Sequence, residues 1–210
     1  MTQEKRKYAV VDLEATSASS NAKIIQVGIV LIENGQIVKT YEPDVNPHEK
    51  LDSHICQLTG LTDKRLRRAP DFSQVAREIY ELIEDAIFVA HNVKFDANLL
   101  AEALFWEGFE LMTPRVDTVE LAQVFFPTFE KYNLGILCEQ LDIPLKHAHT
   151  ALADASATAT LFLKIQEKIQ KLPKELVEYL LKFSDSLIYE SRLAIEDAFN
   201  QMSDITCHDL

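Results

Sequence analysis

The spacing of apolar and polar residues changes several times along the chain, and each change predicts an element. Residues 8–11 (Tyr-Ala-Val-Val) are a short apolar run of the kind that fits a strand covered on both faces. The run leads straight into Asp12 and Glu14. Residues 24–32 read as a second strand and residues 36–41 as a third. Asn34-Gly35 lies between them and tolerates positive φ at both positions, which closes a tight hairpin. The first three strands are therefore predicted to form a meander.

Residues 50–70 read as short helical turns. Gly60 is placed to end one helix and Thr62 to start the next. Asp71 or Ser73 opens a helix whose apolar positions Val75, Ile79, Leu82 and Ile83 recur at helical spacing. Residues 86–90 are a second buried strand, running into His91-Asn92. Helical patterns follow at 96–108, 119–126 (stopped by Pro127), 133–141 (stopped before Pro144) and 150–172. A short strand is predicted at 114–118. The last of these helices begins rich in alanine, and small residues allow close approach to a sheet. A meander followed by alternating strands and helices predicts an α/β domain with a mixed, partly parallel sheet.

Pro173 marks a boundary. Beyond it Leu176, Leu180, Phe183, Leu187 and Ile195 suggest one or two amphipathic helices, too short to hold a core alone. The expected organisation is a domain over residues 1–172 and a helical extension or linker over 173–210, leading toward a domain absent from this chain.

Composition narrows the classes. At 210 residues with 47% apolar content, one domain with an appendage suffices. No run of about 18 apolar residues is present, so no membrane span is expected, and the basic start has no apolar region behind it to act as a signal peptide. Three widely separated cysteines, Cys56, Cys138 and Cys207, fit a reducing cytoplasm rather than a disulfide framework. The net charge of −12 disfavours holding nucleic acid with the whole surface, but not through metal ions and one local basic patch. Such a patch exists at Lys64-Arg65-Leu66-Arg67-Arg68, and a solvated helix face explains it equally well. Residues 173–210 hold three basic against eight acidic side chains, and so carry −5 of the −12.

The chemistry gathers around carboxylates. On a strand, residues i and i+2 share a face, so Asp12 and Glu14 project together. Two such groups at the end of a core strand repel and need a positive partner. Asp96 follows the second buried strand. Taken alone it reads as a helix N-cap. If the strands through Val11 and Val89 are neighbours, it arrives beside Asp12 and Glu14. Asp154 stands in a wall of alanines, where a carboxylate is better explained as a ligand than as a surface charge. His149 falls in the loop before that helix, with Thr150 as its cap. His147 lies two residues away, and the residues alone do not choose between the histidines. Four carboxylates and a histidine from three segments suit two hard divalent cations, magnesium or manganese. A pair of such ions can stabilise both oxygens of a phosphodiester displacement, with a histidine as general base.

Three motifs, Asp12-Leu-Glu14, His91-Asn-Val-Lys-Phe-Asp96 and His149-Thr-Ala-Leu-Ala-Asp154, occur in order and resemble those of the DnaQ-like exonucleases, in the DEDD branch with histidine in the third motif. The segments around Leu58-Thr-Gly-Leu61 and residues 132–137 also resemble that family. The resemblance implies a ribonuclease H-like fold and 3′→5′ hydrolysis of nucleic acid to nucleoside 5′-monophosphates. It implies Asp12, Glu14, Asp96 and Asp154 as metal ligands, His149 as the base, and Leu13, Thr16, Leu58, Gly60, Asn92 and Phe95 around the 3′-terminal nucleotide. One departure stands out: many relatives read Asp-x-Glu-Thr-Thr-Gly, where this chain has Ala15 and Ser17.

The wording of residues 86–100 and 113–122 is similar to the exonuclease domain fused to DinG-type helicases of Gram-positive bacteria. No phosphate-binding Gly-x-x-x-x-Gly-Lys-Ser/Thr occurs, so this chain is not itself a nucleotide-driven motor. The expectation is an exonuclease acting on single-stranded DNA 3′ ends in a bacterial cytoplasm. RNA hydrolysis, service as a polymerase proofreading subunit, and a silent nucleic-acid-binding module are the alternatives.

Overall fold

A computed structural model describes residues 6–19, 21–146 and 148–205, with side chains to residue 202. His147 and Cys207 lie outside the described residues. One sheet of five strands organises them: β1 (Lys7–Ala15), β2 (Ile24–Glu33), β3 (Gln36–Tyr41), β4 (Ile87–Ala90) and β5 (Arg115–Asp117). Their order is β3-β2-β1-β4-β5. β1 to β3 are antiparallel, and β4 and β5 join β1 in parallel, which is the mixed sheet expected. Asn34 (φ 55°) and Gly35 (φ 72°) make the predicted β2–β3 hairpin turn.

Nine α-helices are described: α1 (Ser53–Thr59), α2 (Asp63–Leu66), α3 (Phe72–Ile83), α4 (Val93–Trp106), α5 (Thr118–Phe125), α6 (Leu134–Gln140), α7 (Ala151–Gln170), α8 (Lys174–Phe183) and α9 (Arg192–Ile205). The caps read from sequence hold. Gly60 ends α1 at φ 71°, and the Thr62 hydroxyl accepts from the Arg65 N–H at the start of α2. Asp71 opens α3, with Gln74 Oε1 accepting from its N–H at 2.9 Å. Among the described residues no helix is long and apolar enough to cross a membrane.

Alternation along β1 sorts the core into two layers. Tyr8 and Val10 pack with Leu121, Phe125, Leu137 and Phe162 of α5, α6 and α7. Ala9, Val11 and Leu13 pack with Val75, Ile79, Leu100 and Leu104 of α3 and α4. By the same alternation Asp12 and Glu14 lie on the α7 side. Helix α7 comes so close to β2 that Gly28 has no room for a side chain: a Cβ there would stand 2.2 Å from the Ala151 carbonyl carbon. Gly28→Ala is therefore expected to cost about 3 kcal/mol or more, since a backbone segment must shift to admit it. Urea unfolding measures that cost, and a loss well below 1 kcal/mol would mean α7 is not held at this spacing.

Helices α8 and α9 lie on the α7 layer through Val177, Ala194, Ile195 and Ala198. The apolar pattern read from the sequence runs through Leu176, Leu180 and Phe183, and the face that α8 buries is offset from it. The buried stripe is Val177, Leu180, Leu181 and Ser184, about a fifth to a third of a turn away, and it leaves Leu176 and Phe183 exposed. Two stripes at helical spacing compete in that segment, and packing against α9 takes the one with smaller residues. Helix α9 also reaches the start of β1: the Tyr8 hydroxyl donates to Asp197 Oδ2 at 2.9 Å, and Arg6 pairs with Glu196 at 3.0 Å.

Candidate active site

The site forms where β1 ends. Asp12 and Glu14 share its α7-facing side, and α7 delivers Asp154 onto them. One oxygen from each of Asp12, Glu14 and Asp154 lies within 4.8 Å of the others. Asp96 arrives from the opposite layer, on α4. Its Oδ1 accepts from the Leu13 N–H at 3.0 Å, between the two β1 carboxylates. The register that allows this is the expected one: β4 runs parallel to β1, with Val10 opposite Val89.

Asp96 is not the helix N-cap that its residue type suggests. Helix α4 starts three residues before it, at Val93, and the N-cap is Asn92, held left-handed at φ 71°. Asparagine tolerates that region where most residues do not. Asp117 makes the turn hold. Its carboxylate accepts from the N–H groups of Asn92 (3.1 Å), Val93 (3.2 Å) and Val119 (2.8 Å), so one buried side chain caps both α4 and α5. His91 adds a brace, with Nδ1 2.8 Å from Thr118 Oγ1 and Nε2 2.8 Å from the Tyr132 carbonyl.

The start of α7 is placed just as closely. Gln26 is buried on β2 directly opposite Glu14. Its Oε1 accepts from the Ala151 N–H at 3.0 Å, and its Nε2 donates to Asp44 Oδ1 at 2.8 Å. Asp44 in turn takes a two-pronged ion pair from Arg65, 2.5 and 2.8 Å. Thr150 occupies the N-cap of α7, and Asp154 Oδ2 reaches back to accept the His149 N–H at 2.9 Å. His149 is exposed and left-handed, φ 69°.

Electrostatically the cluster is strained in the absence of cations. Burial, then Asp96, Asp154 and Glu14, push the Asp12 carboxyl well above the usual range. Burial and Asp154 lift Glu14 to about 7. Burial lifts Asp96 to about 7 even though the Leu13 N–H opposes the shift. Burial raises Asp154 too, against the pull of the His149 N–H. Such a set of oxygens cannot all be ionised without a positive charge among them, and hard oxygen donors fit a divalent metal.

The expected nucleotide-pocket residues divide by position. Leu13, Asn92 and Phe95 border the carboxylates on β1 and at the head of α4. Thr16 closes the strand end, its N–H donating to the Lys23 carbonyl and its hydroxyl accepting from the Lys23 N–H. Ser17 needs no left-handed backbone, so losing the glycine common there carries no strain. Leu58, 40% exposed, and Gly60 sit at the end of α1. A cavity of about 540 Å³ is lined by Lys23, His48, Phe72, Leu99 and Trp106 but by none of Asp12, Glu14, Asp96 and Asp154. Two of its polar groups are already paired, Lys23 with Glu49 and His48 with Asp71.

Sequence reasoning did not single out Gln26, Gly28 or Asp117. A glutamine and a glycine that interrupt an apolar strand, and an aspartate that closes one, were the available signals.

Comparison with known proteins agrees with this geometry. A family model described as Exonuclease (RNase_T) matches residues 9–162. The chain is 38% identical over 187 residues to the 3′-5′ exonuclease DinG of Bacillus subtilis (strain 168), covering 88% of this chain and 20% of that protein. It is 40% identical over 185 residues to the 3′-5′ exonuclease DinG of Staphylococcus aureus (strain USA300), covering 87% and 21%. The chain thus spans about a fifth of the length of the curated relatives it matches.

Among solved structures, exonuclease X in complex with 5′-overhanging duplex DNA superposes with a TM-score of 0.64 at 23% identity, covering 76% of this chain and 91% of that one. A zinc-bound form of an E. coli ExoI–ssDNA complex superposes at 0.73 with 16% identity, covering 85% and 43%. These likenesses show the ribonuclease H-like fold.

Proposed function

The chain belongs to the RNase_T exonuclease family, and from that premise we propose that it hydrolyses the terminal phosphodiester bond at the 3′ end of single-stranded DNA, releasing nucleoside 5′-monophosphates. The observation that carries this reading is the Asp12, Glu14 and Asp154 trio, with ligand oxygens within 4.8 Å of one another. Those three would hold two divalent cations, magnesium or manganese, with Asp96 completing the set. When bound, the ions would supply the positive charge that stabilises the attacking and leaving oxygens.

The chain's own groups do the rest. His149, exposed at the mouth of the site, takes the proton of the attacking water as general base. The water oxygen bonds to the terminal phosphorus, and the 3′-oxygen of the preceding nucleotide leaves, taking up a proton from solvent to become a hydroxyl. Leu13, Thr16, Asn92 and Phe95 line the pocket of the terminal nucleotide, and Leu58 and Gly60 face its base or sugar. Asp117 and Gln26 touch neither substrate nor ion in this scheme. They position Asp96 and Asp154 through the backbone.

Residues 1–172 form the exonuclease domain on this reading, and residues 173–210 lead toward a further part of a longer protein. The likeness to DinG proteins makes a fused helicase the favoured partner, and the cytoplasm the favoured compartment. Incubation with 5′-labelled oligonucleotides and magnesium or manganese, DNA and RNA in parallel, tests the reading. Stepwise shortening of DNA that requires Asp12 is expected. Faster shortening of RNA would reassign the substrate. Binding without shortening, or shortening that survives Asp12→Ala, overturns the proposal.

A further inference from the structure

The basic run at residues 64–68 has no part in the scheme above, and the structure separates its members. Arg65 is committed: its guanidinium clasps Asp44, the same carboxylate that holds Gln26. Lys64, Arg67 and Arg68 are exposed, and among the described residues none of them has a carboxylate at ion-pair distance. Arg67 only touches the Asp63 carbonyl through its Nε. Three uncompensated cations in five residues are conspicuous on a chain of net charge −12.

Their place in the fold is set from beneath. Leu61 and Leu66 bury against Ile25, and with it form a separate small core. Ile25 is the extra residue where the β1–β2 register shifts: Glu14 faces Gln26, and Ala15 faces Ile24. The bulge turns Ile25 away from both main layers, and α2 docks on it. Helix α2 is therefore fixed to the start of β2, one residue from the partner of Glu14. The Arg65–Asp44–Gln26 chain ties it to the same α7 terminus that carries Asp154. Helix α2 follows directly on Leu58 and Gly60 at the end of α1.

We infer that Lys64, Arg67 and Arg68 form a docking surface for the sugar-phosphate backbone of a nucleic-acid strand whose 3′ end lies at the carboxylates. This rests on the exonuclease reading for the position of that end. The charges are complementary, and the acidic surface elsewhere repels the strand, so one basic helix can set its direction of approach. Sequence is not read, because phosphate contacts position a strand without specifying it.

The test is binding of a labelled 20-nucleotide strand in chelator, so that nothing is cut, across a salt series. For single strands each phosphate neutralised contributes about 0.7 to the slope of log affinity against log salt. The K64A/R67A/R68A variant is expected to lower that slope by about 2. Its turnover on a dinucleotide should match wild type, while its KM on the 20-nucleotide strand rises. The control R77A/K171A, at exposed cations on α3 and just past α7, should leave the slope unchanged.

An unchanged slope in the triple variant, an equal drop in the control, or no binding by wild type each overturns the inference. A wild type that binds with this slope but cuts nothing would refute the exonuclease reading and leave the α2 surface standing.

Discussion

Asp12→Ala is expected to lower turnover by about 10³-fold or more and to remove manganese binding with it. Asp12 is the carboxylate on which the others converge: Asp96, Asp154 and Glu14 all raise it, on top of its burial. The same crowding predicts a stability effect of opposite sign. Glu14 and Asp96 are held at about 7 in the folded chain, against an ordinary carboxylate value near 4 in the unfolded one. Between those values the folded state binds more protons than the unfolded state. The metal-free protein therefore loses stability as pH rises from about 4 to about 7, and the raised Asp12 carboxyl adds to the loss in the same direction.

Asp12→Asn keeps the shape and removes one charge, so it should raise the melting temperature of the metal-free protein at about pH 8 while abolishing activity. Manganese should produce the same rise in the wild type and none in the variant. Thermal melts across pH, with and without metal, decide the matter. A wild-type melting temperature indifferent to both pH and manganese would show that the cluster holds no unbalanced charge.

His149→Ala should cost about 10² to 10⁴ in turnover, the range of general-base catalysis, while manganese affinity changes by less than about threefold. The structure explains the split. His149 meets the carboxylates through its backbone N–H, bonded to Asp154 Oδ2 at 2.9 Å, and an alanine retains that donor. Only the imidazole is lost. His147→Ala should retain activity. A fully active His149→Ala beside a dead His147→Ala would move the base two residues upstream.

Much of the fold was legible because it depends on local chemistry. The hairpin at Asn34-Gly35, the Gly60 and Thr62 caps, and the Asp12–Glu14 pairing on one face all follow from backbone preference and the period of a strand. The family resemblance added order, linking motifs some 80 and 50 residues apart that periodicity alone could not connect. Local reasoning ran out where a residue's partner is distant. Taken alone Asp96 reads as a cap, because aspartate caps helices, and only its position after the second buried strand argued for the carboxylate cluster. It is instead a buried acceptor for Leu13, and Asn92 caps the helix because Asp117, 25 residues on, holds its left-handed turn. In α8, Leu176 and Phe183 lie on an apolar stripe as regular as the buried one, and packing against the distant α9 selects the other.

The sequence by itself thus determined the strand and helix periods, the turn chemistry, and the presence of four carboxylates and two histidines in a recognisable order. Each of these is a property of a few neighbouring residues. The tertiary structure alone decided which oxygens meet. That depended on β4 lying parallel to β1, on Gly28 and Gln26 seating the end of α7 against β2, and on Asp117 fixing the head of α4. These contacts join residues far apart in the chain, and only the closing of the sheet and its two helical layers brings them within reach.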